Sequence, residues 1–461
     1  MRHFDWRSLV VSSMMIGALA AKAETRPQYG GVLHIAMRAA PTSLDPADFD
    51  QANKAQTDSF ARRSLTMLMF DTLVTNNENL RVQPSLAMSW QASPGNQRWQ
   101  FRIRRGVKFH DGTPLSPEIA AASLRAANPA WNVLADADSV VIESASSGPE
   151  LLAELALPRN AIVKRNPDNT PSGTGPFHVV DWQPGKKLAL AAEENCWRGR
   201  PFLDAIEIEM GKSFRDQMTA LELGKADLVE VAPEQTHRVS QEGRRLASSM
   251  PVELLALLFT RDAASPEEKL LREALALSVE RGSIRSVLLQ GAGQATASIL
   301  PNWMSGYGFV FPTDADLPRA RHARDQVRTI PTWTVAYDSS DPVARLLAER
   351  IALNGRDAGL LLQPTAATSD LRLVRIPLAS PDPWIALAAV ATLAGVPAGK
   401  GQGGAVEDLY ASEQSLLATQ RVIPLFHLPA SYAAAATLKD WTLRPDGTWT
   451  LADAWLGIGK P

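Results

Sequence analysis

A chain of 461 residues, 45% hydrophobic and 21% charged, has the make-up of a globular protein with about two or three core-forming units, not of a disordered or fibrous one. Its formal net charge of −2 argues against a nucleic-acid partner, whose phosphates demand a basic face. A single cysteine, Cys196, excludes an intrachain disulfide.

Taken in chain order, the first element is a targeting segment. Arg2 and Arg7 precede an apolar stretch from Leu9 to Ala20, and Ala21-Lys22-Ala23 forms a small-x-small cleavage pattern before Glu24. The stretch is too short to span a bilayer, and no later segment is long and apolar enough. An exported, soluble mature protein is expected. Cys196 lies far from the cleavage site and offers no lipid anchor there, which favours a Gram-negative-type periplasm.

"GGVLHIAM", from Gly30, reads as a strand, and "PTSLDPADF" as a loop leading away from it. Trp99, Phe101 and Ile103 alternate with Gln100, Arg102 and Arg104, the period of a half-buried strand. Gly106 breaks that run, and Val107 and Phe109 restart it as a short second strand. Asp111-Gly112 supplies turn chemistry. Ser116 and Pro117 read as the N-cap and first residue of a helix through Arg125.

His110-Asp111 invites a catalytic or metal-binding reading. A general base needs a nucleophile in reach and a metal needs several ligands, and neither is visible nearby. The pair is read as scaffold. No two of the seven histidines are spaced as ligands on one helix or hairpin, and there is no G-x-S-x-G elbow or Walker-type loop. Gly291-Ala292-Gly293 follows a helix pattern, not the strand that a dinucleotide fingerprint requires. Cys196 is read as a core residue. No catalytic residue, metal site or cofactor is assigned.

"GTGPF", residues 173 to 177, is a tight turn before a strand from Phe177 to Trp182, and Pro184-Gly185 turns a hairpin. "FRDQMTALELGKADLVEV" reads helix–turn–strand, with Met218 and Leu221 on the apolar side and Gly224 at C′. "VELLALLFT", from Val252, is a buried strand or crossover. Leu271, Leu275 and Val279 mark an amphipathic helix. Residues 332 to 363 form a strand–helix–strand crossover. Asp341-Pro342 opens its helix, Val343, Leu347 and Ile351 line one face, and Asn354-Gly355 ends it.

These landmarks, in this order, resemble the periplasmic solute-binding proteins of peptide and nickel importers (family 5, the dipeptide- and oligopeptide-binding group). The matching stretches are "GGVL", "SLDP", "PSLAMSW", "W-x-F-x-I-R-x-G-V-K-F-H-D-G-x-P-L", "GTGPF", "N-x-W-R-G-R-P-F-L-D", "ALELGKADL" and "R-E-A-L-A-L-S-V-E-R", with "VIPLFH" as a later echo. The resemblance implies an α/β, two-lobed periplasmic-binding-protein fold (type II, cluster C-like) with an extra subdomain in the first lobe. Lobe one would take 24–255 and 424–461, with the subdomain at about 45–170, and lobe two 256–423. The chain would cross near Leu257 to Arg261 and near Arg421 to His427. Capture of a peptide or peptide-like solute, delivered by a monomer to an ABC permease, is the implied function.

Two departures from the family pattern stand out. The positions that peptide-binding members fill with an aromatic residue and an ammonium-pairing aspartate are Ile376 and Ala379 here, although Pro381-Asp382-Pro383 remains. The subdomain between Leu124 and Gly173 is also compressed. The candidate ligand-binding residues are Trp303 and Tyr307, which offer apolar faces with polar tips, Arg375 as a fork for a carboxylate, Asp382 as a replacement anchor, and Trp384. Two alternatives stand beside this reading: a sensory or interaction protein that has lost transport, and a secreted α/β hydrolase, for which no nucleophile–base pair is visible.

The targeting motif gives the first expected outcome. N-terminal sequencing of exported protein should begin at Glu24, and a mature protein retaining residues 1 to 23 would contradict it.

Overall fold

The computed structural model describes residues 26–49, 59–143, 148, 150–167, 170–308, 310–367, 369–378, 380–397 and 405–457. The targeting segment and Ala379 lie outside the described residues.

An 11-stranded sheet runs through the molecule. Its main strands in chain order are β1 (Val32–Ala36), β2 (Phe177–Gln183), β3 (Lys187–Ala192), β4 (Ala205–Glu209), β5 (Leu228–Glu230), β6 (Arg245–Phe259), β7 (Thr332–Ala336), β8 (Leu361–Thr365), β9 (Leu371–Pro377) and β10 (Val422–Ala434). In space the order is β2-β3-β4-β1-β5-β10-β6-β9-β7-β8. β1 is parallel to β4 and β5, and β7 is parallel to β8 and β9. The central pair β6 and β10 is antiparallel, from Arg245 opposite Ala434 to Leu258 opposite Val422.

The helices follow from local signals. Ser59 caps α1 (Phe60–Met69), and Ser116 caps α2 (Pro117–Ala127) with proline just inside. Ser213 caps α3 (Phe214–Glu222), and Ser265 caps α4 (Pro266–Ser278). Further along come α5 (Ala344–Asp357), α6 (Pro383–Ala394) and α7 (Val406–Ala418).

The "LLALLF" run of β6 is continuous because both its faces are covered. Leu255, Leu257 and Phe259 pack with α4 and α5, while Leu254, Ala256 and Leu258 pack with α6 and α7. At the other end of the sheet, Leu33, Ile35, Ile206 and Ile208 share a core with Leu65 and Leu68 of α1 and with Tyr432 and Trp449. A third core joins Phe101, Ile103, Val140 and Ile142 of a four-stranded sheet to Ala120, Ala121 and Leu124 of α2. Cys196 is buried, as the sequence implies, and burial pushes its thiol pKa up.

His110-Asp111 is a tie between segments. The His110 backbone N–H donates to Gly173 O (2.9 Å), and its Nε2 donates to Gly175 O (3.0 Å). Asp111 accepts from Thr113 N and pairs with Lys164. Just beyond lies Asp71, buried, which accepts from Thr174 Oγ1 (2.9 Å), Trp197 Nε1 (2.9 Å) and Arg198 Nη2 (2.6 Å).

Three local expectations need correction. Val107 to Phe109 is not a second strand. Only Lys108 bridges Pro114, because the chain turns back at once through Gly112. The helix expected to end at Gly355 runs on to Asp357, since Gly355 serves close packing: a Cβ there would lie 2.5 Å from Leu362. Asp341 does not cap α5 directly. It accepts from Val343 N (3.1 Å) and gives its other oxygen to Arg375.

Gly173 and Gly175 are needed for approach as well. A Cβ on Gly175 would sit 2.5 Å from the carbonyl carbon of Met69 and 2.6 Å from Leu68 O. Gly175→Ala should therefore cost about 2–3 kcal/mol by overpacking against backbone. Gly282→Ala, with open space around it in an exposed helix, should be neutral or stabilising by up to about 1 kcal/mol. Urea unfolding of both variants checks the contrast, and equal midpoints would refute it.

Candidate functional site

β1 and β7 each sit between two parallel neighbours, and the chain leaves both at their carboxyl ends, where open α/β sheets form crevices. A cleft of about 700 Å³ opens there. Arg38, Phe60, Lys212, Phe214 and Pro233 line one side. Tyr337, Asp338, Asp341, Arg372 and Arg375 line the other, and Glu253, Leu255 and Pro429 to Tyr432 of the two long strands complete it.

Arg38 reaches across. Its Nη2 donates to Asp338 Oδ2 (2.9 Å) and Ser340 Oγ (3.3 Å), and its guanidinium lies 4.5 Å from the centre of the Phe214 ring. The Arg38 backbone N–H donates to Glu230 Oε2 (2.5 Å), which also accepts from Gln217 Nε2 (3.1 Å). Burial raises the Glu230 pKa against those contacts.

Arg375 is clamped between two acids. Nε donates to Asp341 Oδ2 (2.9 Å), Nη2 lies 2.8 Å from the same oxygen, and Nη1 donates to Glu253 Oε2 (3.1 Å). Burial alone would raise the Asp341 carboxyl, but Arg375, the Val343 N–H and Arg38 hold it below its ordinary value. Among the described residues, no three His, Cys, Asp or Glu side chains come together as metal ligands.

Of the five residues singled out from sequence, only Arg375 lines this cleft, and its fork is already engaged. The other four lie elsewhere. Trp303 donates its indole N–H to Pro251 O (2.7 Å) and packs on the core shared by β6 and α6. Tyr307 donates its hydroxyl to Glu413 and sets its ring edge-on to Tyr410, 5.5 Å away. Asp382 caps α6, accepting from Trp384 N (2.9 Å) and Ile385 N (3.2 Å). Trp384 is half-buried against the same core. Sequence reasoning missed Arg38, Phe214, Asp338 and Arg372. Arg38 and Asp338 could have been found from their place two residues beyond a central parallel strand.

The family model "Bacterial extracellular solute-binding proteins, family 5 Middle" matches residues 81–370. The nickel-binding protein NikA of Staphylococcus aureus is 25% identical over 243 residues, which cover 50% of this chain and 49% of NikA. The oligopeptide-binding protein AppA of Bacillus subtilis is 23% identical over 330 residues, covering 65% of this chain and 58% of AppA. By sequence, the chain thus matches about half of each relative's length. In structure the likeness is wider. NikA from S. aureus, in complex with Ni(L-His)2, superposes with a TM-score of 0.78 at 17% identity, covering 92% of this chain and 98% of NikA. AppA in complex with a nonapeptide gives a TM-score of 0.78 at 16% identity, covering 94% of this chain and 100% of AppA. These superpositions establish the two-lobed fold.

Because Arg375 neutralises two carboxylates that are largely out of water, Arg375→Gln should destabilise the protein by about 3 kcal/mol or more. Adding Asp341→Asn should recover part of that loss. Denaturant titration of the single and double variants measures it, and a single variant as stable as wild type would rule out the clamp.

Proposed function

Since the chain belongs to the bacterial extracellular solute-binding proteins of family 5, we propose that it captures a peptide or peptide-like solute between its lobes and delivers it to an ABC permease. It would act as a monomeric binding protein, not an enzyme. The targeting motif at Ala21-Lys22-Ala23 supports export to a periplasm.

The observation that carries this reading is the free edge of β9 beside the cleft. β9 pairs with β6 along its whole length, but with β7 only at Leu371 and Arg372. Backbone groups of residues 373 to 377 therefore have a ladder on one side only. An extended ligand can add to such an edge through its own amides, and side-chain pockets then supply selectivity.

Closure would occur about β6 and β10, the two strands whose ends serve opposite halves of the sheet. We place the hinge at 249–252 and 429–430, a few residues from the crossings expected from sequence. There Pro251 faces Pro429 and the register shifts on both sides of Pro251. Neither proline can donate, so the ladder lapses where bending is needed.

By the family pattern, the sequence position of the ammonium-pairing aspartate is held by Ala379, and the carboxylates lining the cleft are engaged. N-acetylation of a dipeptide should then change its affinity by less than about threefold. A lost ammonium–carboxylate contact would instead cost about 1.5–3 kcal/mol, or roughly ten- to a hundredfold. Calorimetric titration with Met-Leu and N-acetyl-Met-Leu tests this, and tight binding abolished by acetylation would contradict it.

A further inference from the structure

We propose that Trp303 is a positioning residue of the hinge: its indole ties Pro251 to the half of the sheet built on β9, limits where the chain bends, and so sets how often the cleft stands closed. The inference rests on the solute-capture reading and on the hinge at 249–252, and adds the side chain that governs that hinge.

The segment from Gln294 to Tyr307 is a strut fastened to that half. Gln294 and Ala295 pair with His427 and Phe426 of β10, and Thr296 N donates to Leu425 O (3.0 Å). Ile299 and Leu300 are then held from two sides. Both of their backbone N–H groups donate to one oxygen of Glu413 on α7, and His427 Nε2 donates to Ile299 O (3.0 Å). Tyr307 donates its hydroxyl to the other Glu413 oxygen, so a single carboxylate grips the strut at two places. Glu413 and His427 are buried, and breaking these contacts would leave polar groups unpaired away from water. The strut therefore moves as one body with α7 and with β10 from Leu425 to His427.

Trp303 carries that body to the hinge. Its Nε1 donates to Pro251 O at 2.7 Å. Pro251 is where β6 leaves its firm neighbours. The pairing with β9 begins only at Glu253, Val252 O accepts from Leu378 N (2.8 Å), and the register against β10 shifts on both sides of Pro251. Neither Pro251 nor the facing Pro429 has an N–H to give. The indole supplies the hold that the ladder lacks. With Pro251 tied to the strut, bending is concentrated at Ser249 and Met250, whose link to the facing strand is the Ser249 Oγ contact with Ala430 N. The tie is present while the cleft walls meet, with Arg38 Nη2 2.9 Å from Asp338 Oδ2. Its loss adds Pro251 and Val252 to the compliant stretch and lowers the share of molecules that stand closed. Apparent affinity falls with that share. Trp303 acts at a distance, because it is not on the cleft lining.

The test uses the full chain with one nitroxide label on each half, at Lys225→Cys and Lys269→Cys, both exposed positions, the native Cys196 being buried. Double electron–electron resonance on the ligand-free protein reads the spread of distances in the parent chain, Trp303→Phe and Trp384→Phe. Trp384 packs on the same core as Trp303, and its ring has no hydrogen bond among the described residues, so it reports what trimmed packing does alone. Trp303→Phe should broaden the distribution, and Trp384→Phe should not. Replacing the Trp303 indole by the isosteric benzothiophene removes only the N–H, keeps the packing, and should broaden it too. Calorimetry with N-acetyl-Met-Leu should show about two- to tenfold weaker binding by both Trp303 variants than by Trp384→Phe. An unchanged distribution in the benzothiophene variant, or equal broadening by Trp384→Phe, overturns the inference and leaves solute capture standing. No binding of the probe to the parent chain overturns capture of that class, and the distance distributions alone then decide the role of Trp303.

Discussion

Everything in this molecule hangs on the pairing of β6 with β10. These two strands alone carry the sheet from the half built on β1 to the half built on β9. Where both faces of β6 are buried, from Leu254 to Phe259, the pair is locked by side chains from two cores. Around Pro251 and Pro429 the ladder lapses, and side chains stand in for it. Ser248 Oγ meets Ser431 Oγ at 2.8 Å, and Ser249 Oγ accepts from Ala430 N at 3.0 Å. Hydroxyl contacts of this kind reorient at less cost than a continuous backbone ladder, so the same pair of strands is stiff in one stretch and compliant in the next.

Magnitudes separate the two charge clusters of the cleft. The Arg38 and Asp338 side chains are 24% and 55% exposed, and an ion pair in that setting is worth about 0–1 kcal/mol. It cannot hold the halves together against thermal motion or against a ligand. The Arg375 side chain is 14% exposed and Asp341 is 4% exposed, so the loss of either partner leaves a charge in a poor solvent. The first cluster adds little to the cohesion of the two walls of the cleft. The second fixes the loop before α5 to β6 and β9, and so keeps that wall of the cleft in one shape.

Periodicity and turn chemistry made most of the scaffold legible in advance. The alternation of Trp99, Phe101 and Ile103, the Ser116-Pro117 helix start and the 332–363 crossover need only local physics, and they are present as expected. The site was far less legible. Trp303, Tyr307 and Asp382 were attractive because they combine apolar bodies or charge with loop positions. Their polar atoms instead satisfy Pro251 O, Glu413 and the α6 N-terminus, partners that no local pattern announces. The groups that do line the cleft pair over long separations: Arg38 meets Asp338 300 residues away, and Arg375 meets Glu253 122 residues away. Only the topological rule about parallel strand ends would have reached them.

The motifs that carry the family resemblance explain this asymmetry. "HDG", "GTGPF" and "CWRGRPFLD" are far apart in sequence and converge on the chain between Met69 and Asp71. His110 holds Gly173 and Gly175, Gly175 N donates to Met69 O (3.0 Å), and Asp71 gathers Thr174, Trp197 and Arg198. Asp71 is 1% exposed, so each of those donors offsets part of the cost of burying its charge. A substitution at any of these positions strands a buried group or closes a gap that only glycine leaves open. None of these motif positions lines the cleft. Such a cluster constrains sequence wherever the fold is used and is indifferent to what the cleft holds. That is why the resemblance foretold the architecture while the residues lining the cleft had to be read from the structure.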